Sequence, residues 1–373
     1  MAGIYIHIPF CKKKCYYCDF YKSTNQGLKV QLLHVIMQEL EERQTEFSGE
    51  VAETIYLGGG TPSVLSAGEI SGLLMQVRRF YNVQNSAEIT MECNPDDITP
   101  AYLSQIRETG INRLSIGIQS FNDSDLKLMN RRHNSVQAIE AVRSAQETGF
   151  NNISIDLIYG LPGQTLNDWK ENIRQALELN VQHISAYCLT YNEGTVFYKR
   201  LKSGILSELP DELSFQQFDV LREELAKAGF EQYEISNFAR NHLYSKHNTG
   251  YWFQQKYLGI GPSAHSFDRK TRRWNVSDNL KYIDGIENGT RYYDSEELSP
   301  SDRYNDYIIT RLRTMWGITE NEIGEEFLSH FRKNIEKYCK TGHILNKNGA
   351  WVLSEEGLFI SDKIMEDLIF VPS

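Results

Sequence analysis

Three cysteines crowd the start of this 373-residue chain, in Cys11-Lys-Lys-Lys-Cys15-Tyr-Tyr-Cys18, directly after the apolar run Ile4-Tyr-Ile-His-Ile8. Thiolates bind soft metals, and three on one loop can hold three irons of a cubane cluster while the fourth keeps no protein ligand. An open coordination position is what metal chemistry needs, as in zinc enzymes that keep one exchangeable ligand. Two other arrangements use the same residues. His7 turned inward would complete a Cys3His zinc site, and three unligated surface thiols would be reactive. The other three of the six cysteines, Cys93, Cys188 and Cys339, are scattered and read as small buried hydrophobes. Disulfides are not expected, since a long chain with a sizeable core needs no such staples.

Further polar candidates fall at the ends of β-rich runs. Gly58-Gly59-Gly60-Thr61-Pro62 follows Thr54–Leu57. A backbone without Cβ atoms can approach a ligand closely, though a plain tight turn uses the same residues. Glu92 and Gln119 end Thr90-Met-Glu92 and Ser115-Ile-Gly-Ile-Gln119. There they can bond an amine or a ribose hydroxyl, or cap a loop. Asp156 interrupts the otherwise apolar Ile153–Ile158. A carboxylate so placed must be paired or hydrogen-bonded, and Arg131 is the expected partner, with Arg132 and Arg113 as alternatives.

The elements that must position these residues alternate. Strands are expected at Ile4–Ile8, Thr54–Leu57, Glu88–Met91, Arg113–Ile118, Ile153–Ile158 and His183–Cys188. Helical periodicity covers Leu28–Phe47, Ala67–Tyr81, Pro100–Glu108, Ser135–Thr148 and Leu166–Leu179. Gly110 and Gly149 are expected to terminate helices. Strand–helix alternation implies an α/β fold with parallel pairing, right-handed crossovers and ligands at the strands' C-terminal ends. Six units do not close an eightfold barrel, so an open or partial barrel is expected, its mouth covered by something else. After Thr190 the alternation fails. Asp211–Ala228 reads as a helix, Glu231–Phe238 as a strand and Ala239–Phe267 as loop-rich. From Ser299 the chain is helical to Lys340 and ends in a hairpin about Asn348-Gly349, a winged-helix-like pattern. The expected division is 1–195, a partial barrel; 196–298, a connecting α+β region; and 299–373, a helical, winged module.

Composition sets the outer limits. With 40% hydrophobic and 24% charged residues the chain is globular rather than disordered. Thirty-nine basic against 49 acidic residues, a net charge of −10, argues against non-specific nucleic-acid binding. No apolar run approaches the roughly 18 residues that span a bilayer, and the N-terminus reads as a strand rather than a signal peptide. A cytoplasmic protein is expected.

Taken together, Tyr5-Ile-His-Ile-Pro-Phe-Cys11, the Cys-x3-Cys-x2-Cys loop and Gly58-Gly-Gly-Thr-Pro62 resemble the radical S-adenosylmethionine superfamily. Within it they resemble the coproporphyrinogen III dehydrogenase/HemW group. The resemblance runs over nearly the whole chain. It implies a partial (β/α)6 TIM-like barrel with a smaller α+β C-terminal part, and a [4Fe–4S] cluster on Cys11, Cys15 and Cys18. It also implies S-adenosylmethionine held by Tyr5, Tyr17, Gly59, Gly60, Thr61, Glu92, Gln119, Arg131 and Asp156.

Two departures separate the chain from the dehydrogenase pattern. Cys18 is followed by Asp19-Phe20 where that pattern has a fourth cysteine two residues on, and Cys11 is reached without a long leader. His247-Asn-Thr-Gly-Tyr251-Trp252 instead matches the HNxxYW motif of the heme-chaperone branch. The resemblance then implies heme as a further cofactor, with His247 as axial ligand, Tyr251 and Trp252 flanking the macrocycle, and Lys246 and Arg240 near its carboxylates. His265 and His242 are neighbouring imidazoles. The implied function is heme chaperoning, with heme-acceptor proteins as partners, membrane-bound ones among them, and homodimerisation. Oxidative decarboxylation of coproporphyrinogen III is the alternative.

Overall fold

The computed structural model describes residues 2–372. Each of the six expected runs is a strand: β1 (Ala2–Ile8), β2 (Ala52–Gly59), β3 (Val83–Cys93), β4 (Arg113–Gln119), β5 (Ile153–Tyr159) and β6 (His183–Cys188). Each pairs in parallel with its successor. Between them run α1 (Lys29–Glu42), α2 (Ala67–Phe80), α3 (Pro100–Glu108), α4 (Asp123–Leu128), α5 (Ser135–Glu147) and α6 (Leu166–Glu178). These are the long crossovers that parallel neighbours require. Three start at reciprocal capping boxes, Ser66 with Glu69, Asn134 with Gln137 and Thr165 with Asp168. The stretch expected as one helix over Leu28–Phe47 is shorter, with α1 ending at Glu42 and Gln44–Phe47 tightening into a 3-10 turn.

The sheet extends beyond the six-stranded unit at both edges. Past α7 (Val196–Lys202) and α8 (Asp211–Lys227), the single strand expected at Glu231–Phe238 is a hairpin, β7 (Glu231–Glu234) and β8 (Asn237–Ala239), with β8 antiparallel to β6. The segment expected to be loop-rich contains α9 (Lys246–Trp252), β9 (Lys256–Ile260) and β10 (His265–Phe267). β9 lies parallel beside β1, in register from Ala2 with Lys256 to Ile6 with Ile260. β11 (Thr271–Asn275) and β12 (Tyr293–Glu297) complete a twelve-stranded order β12-β11-β10-β9-β1-β2-β3-β4-β5-β6-β8-β7. β1 is therefore an interior strand, which accounts for its nearly unbroken burial.

Two apolar cores accompany this arrangement. The larger joins the sheet to α1–α3, α5, α6, α8 and α10 (Asn279–Asn288). The second lies among α11 (Pro300–Leu312), α12 (Glu325–Lys340), the three-stranded sheet of β13 (Ile318–Thr319), β14 (Ile344–Lys347) and β15 (Ala350–Leu353), and the last helix, α14 (Ser361–Leu368), while Leu358 and Phe359 of α13 (Glu355–Phe359) pack on the larger core. Asn348 and Gly349 both have positive φ, 54° and 87°, as the two-residue turn between β14 and β15 requires. Among the described residues no helix is long and apolar enough to cross a membrane.

Candidate functional site

The cysteine loop leaves the C-terminal end of β1 and is tied down along its length. Cys11 N–H donates to Ser23 O at 3.0 Å, Tyr16 N–H to Met129 O at 3.1 Å, and Phe197 N–H to Tyr16 O at 3.0 Å. Asn130 Nδ2 donates to Lys14 O at 2.8 Å. A small apolar cluster of Leu126, Met129, Ile158, Leu161 and Phe197 packs under Tyr16 and Tyr17. Each thiol meets a polar group from another part of the chain or the loop's far end. Cys11 Sγ lies 3.3 Å from Thr61 Oγ1, Arg131 Nη1 donates to Cys15 Sγ at 3.4 Å, and Lys22 stands beside Cys18. Tyr17 bonds Cys15 and faces Arg131.

Burial pushes the Cys11 and Cys18 thiols up, while Thr61 and Lys22 act in the opposite sense. The three sulfurs are close enough to feel one another's charge. Among the described residues no three histidine, cysteine or carboxylate groups converge tightly enough on a single ion. A cubane asks for no such convergence, since each iron takes one thiolate. His7, the conceivable fourth ligand of a zinc site, is engaged elsewhere: its Nδ1 lies 3.1 Å from Tyr5 Oη and its Nε2 3.1 Å from Tyr21 O. Soft thiols on a pinned loop, each with a donor or cation beside it, fit a cluster whose sulfur charge needs compensation.

The other sequence candidates gather around this loop at the C-terminal ends of β2–β5. Gly59 has φ 111°, and a Cβ there would sit 2.6 Å from the His7 ring; one on Gly60 would sit 2.8 Å from Phe10 O. These glycines let the end of β2 lie directly against the end of β1. Thr61 follows, 4% exposed, with its hydroxyl at Cys11. Glu92 accepts from Tyr56 Oη at 2.9 Å and from Gly59 N–H at 3.1 Å. Gln119, at φ 71°, ends β4 at an irregularity in its pairing with β5 and lies against Gly117, whose carbonyl accepts from Arg131 Nη2 at 2.5 Å.

Arg131 is not the partner of Asp156. It is spent on Gly117 O, Cys15 and Asn94 Oδ1, the last at 2.8 Å. Asp156 instead accepts from Ser115 Oγ at 3.4 Å and feels the buried Arg113 most strongly among its cations. The reason is geometric: Arg113 starts β4, adjacent to β5, whereas Arg131 follows α4 and reaches only the loop side of the strand ends.

Glu92 and Asp156 are carboxyls short of compensation. Burial lifts Glu92 from the ordinary carboxyl range to about 7. It lifts Asp156 to about 6 despite Arg113. Two such groups near the thiol loop suit a ligand that brings a positive charge or hydroxyl donors, as S-adenosylmethionine does, because either would relieve the cost of ionisation. In the ligand-free chain the folded state holds extra protons between about pH 4 and 7, so stability falls as pH rises through that window. Glu92→Gln should flatten the fall by about 2–3 kcal/mol, read from urea unfolding of cluster-free protein at pH 5 and pH 8. Parallel wild-type and variant pH curves would remove Glu92 as the source.

His247, Tyr251 and Trp252 lie on α9, which packs against β1 and β2. His247 is 4% exposed. Its Nδ1 lies 2.7 Å from Thr54 Oγ1 and its Nε2 2.9 Å from Tyr251 Oη. The ring stacks on Tyr56 at 5.0 Å and Tyr5 at 6.3 Å, and burial lowers its pKa to about 3. Both ring nitrogens are engaged in this ligand-free arrangement, so binding iron through either one means giving up the bond to Thr54 or to Tyr251. Arg240, expected near the heme carboxylates, lies over the Phe230 ring and donates to Asn180 Oδ1. Tyr251 and Trp252 do border open space: with Tyr5, Tyr21, Tyr257 and Phe267 they line a cavity of about 530 Å3. Sequence reasoning passed over Thr54, Asn94 and Lys22. Asn94 alone carried a readable signal, a polar residue just past a strand's C-terminal end.

Comparison with known proteins agrees with this geometry. The family described as the Radical SAM superfamily matches residues 5–176. The chain is 34% identical to the heme chaperone HemW of Bacillus subtilis (strain 168) over 98% of both chains. It is 35% identical to the HemW of Lactococcus lactis subsp. lactis (strain IL1403), over 98% of this chain and 96% of that one. A solved structure of the coproporphyrinogen III oxidase HemN from Escherichia coli, described as a radical SAM enzyme, superposes with a TM-score of 0.84 at 25% identity, over 99% of this chain and 90% of that one. Thiol loop, glycine segment and full-length likeness together assign the chain to the radical SAM superfamily and, within it, to the HemW heme-chaperone family.

Proposed function

We propose that this protein is a heme chaperone: it binds heme and delivers it to acceptor proteins, working with a [4Fe–4S] cluster and S-adenosylmethionine. The observation that carries the reading is likeness over the whole length to proteins named heme chaperone, rather than over the barrel alone. In this reading Cys11, Cys15 and Cys18 hold the cluster, and Thr61, Arg131 and Tyr17 steady the thiolates. Tyr5, Gly59, Gly60, Glu92, Gln119 and Asp156 border the nucleoside. When bound, the cluster supplies a low-potential electron to the sulfonium. Residues 1–195 carry these two cofactors, 196–298 the heme motif, and 299–373 an accessory module. The protein works in the cytoplasm, hands heme to acceptors that include membrane-bound ones, and pairs as a homodimer.

A second reading, oxidative decarboxylation of coproporphyrinogen III, is favoured by the superposition on the Escherichia coli oxidase. Against it stands Asp19-Phe20 after Cys18, where the dehydrogenase pattern has a fourth cysteine. One preparation separates the two. Anaerobically reconstituted protein is given hemin, and separately coproporphyrinogen III with reductant and S-adenosylmethionine. Stoichiometric hemin uptake, release to an apo-hemoprotein and no tetrapyrrole product is the expected result. Protoporphyrinogen IX formed over many turnovers would establish the oxidase instead.

A further inference from the structure

The chain carries a net charge of −10, yet its thiol loop places Lys12, Lys13 and Lys14 between the first two cysteines. All three lysines are exposed. Lys12 pairs with Asp97 at 2.5 Å, whereas Lys13 and Lys14 form no ion pair among the described residues. Arg200 adds a fourth cation, stacked at 4.4 Å on the ring of Tyr16, which lies between the second and third cysteines. The acids beside the loop do not cancel these charges. Asp96 and Asp97 are held by Arg132, and Asp19, just past the third cysteine, accepts from Asn192 Nδ2 at 2.6 Å.

The backbone that presents these cations is fixed. Asn130 Nδ2 donates to Lys14 O at 2.8 Å, and Tyr16 N–H donates to Met129 O at 3.1 Å. A patch displayed on a fixed loop loses little freedom when a partner docks. Cys15 and Cys18 are half-buried and Cys11 buried, so a centre held by the three comes nearest the surface on the side of this loop. The cluster proposed above passes an electron to a sulfonium, and that electron must be replaced from outside. An acidic carrier protein would be repelled by the chain as a whole. A local cationic face at the thiol loop turns that repulsion into steering toward the one place where an electron is needed. The small size of the patch suits a redox encounter, which buries less than about 1,200 Å2. Clustered lysines also attract anionic bilayers, at about 1 kcal/mol each. A bilayer pressed on this face, however, would block the approach to the cluster.

We propose that Lys12, Lys13, Lys14 and Arg200 form the docking face for a small acidic one-electron carrier protein that reduces the cluster on Cys11, Cys15 and Cys18. The inference rests on the cluster reading above and names its electron source. One electron leaves the carrier, which is oxidised, and enters the cluster, which is reduced; no bond or proton moves. Reduced flavodoxin serves as the acidic carrier, and the full-length, cluster-reconstituted protein is followed by bleaching of its visible absorption and by the dissociation constant of the complex. Changing all three lysines, Lys12→Gln, Lys13→Gln and Lys14→Gln, should slow bimolecular reduction and weaken binding about tenfold or more at low salt, and about 0.5 M salt should erase the difference. Lys12→Arg, Lys13→Arg and Lys14→Arg together should keep wild-type values, because charge does the steering. Reduction by dithionite, which needs no docking protein, should be the same in all three proteins. Unchanged rate and affinity after the change to glutamine, or an equal loss with dithionite, overturns the docking face. Lysine-dependent capture on phosphatidylserine vesicles with flavodoxin reduction unaltered overturns it too, and makes the patch a membrane contact. Wild-type protein that assembles no cluster overturns the cofactor reading on which the face rests, a failure distinct from the others.

Discussion

Replacing Cys11, Cys15 and Cys18 together by alanine is expected to abolish the broad visible absorption of the reconstituted protein and to lower its iron from roughly four per chain to less than one. Cys188→Ala, at an exposed thiol outside the loop, should leave both unchanged. The expectation follows from the loop's construction. Thr61, Arg131 and Lys22 come to the three sulfurs of one loop, whereas Cys188 lies outside that loop and meets the hydroxyls of Tyr159 and Ser214. The effect should extend to stability, because a metal bound only by the folded loop adds its binding free energy to folding. The melting temperature of wild type should therefore rise on reconstitution and that of the triple variant should not. An iron–sulfur spectrum that survives the triple change would place the cluster elsewhere.

The second large effect concerns His247. His247→Ala is expected to destabilise the fold by about 3–5 kcal/mol, since it opens a void and leaves the Thr54 and Tyr251 hydroxyls without their common partner. Its ring also stacks on Tyr5 and Tyr56, which themselves stack on each other, in the layer that joins α9 to β1 and β2. Gly3 leaves no room for a larger neighbour, because a Cβ there would sit 2.8 Å from Thr54 Oγ1 and 3.1 Å from the imidazole. Chemical denaturation at pH 7 measures the loss. A variant that unfolds at the wild-type denaturant concentration would remove His247 as the pin between α9 and the sheet.

Much of the barrel was legible in the chain because its signals are local. Alternating apolar runs and helical periods marked all six strands and their crossovers, and Asn348-Gly349 announced the final hairpin through its own backbone preference. The thiol spacing was legible for the same reason: three cysteines within eight residues share a loop in almost any fold. The stretch from Ala239 to Phe267 was not legible. β9 is five residues long, and its partner β1 lies some 250 positions earlier, so nothing nearby marks it as a strand. The seven-residue α9 is likewise set by packing rather than by its own propensity.

The sequence by itself determined which three thiols share one loop, the glycine segment beside them and the order of the α/β units, since each depends on spacing along the chain. Only the tertiary structure decided which charges and lone pairs remain available. It gave Arg131 to Cys15 and Asn94 rather than to Asp156, closed both nitrogens of His247 with Thr54 and Tyr251, and left His265 open beside a cavity. A side chain's chemistry depends on what its polar atoms already hold. Those partners come from residues dozens to hundreds of positions away, brought together by the pairing of the strands.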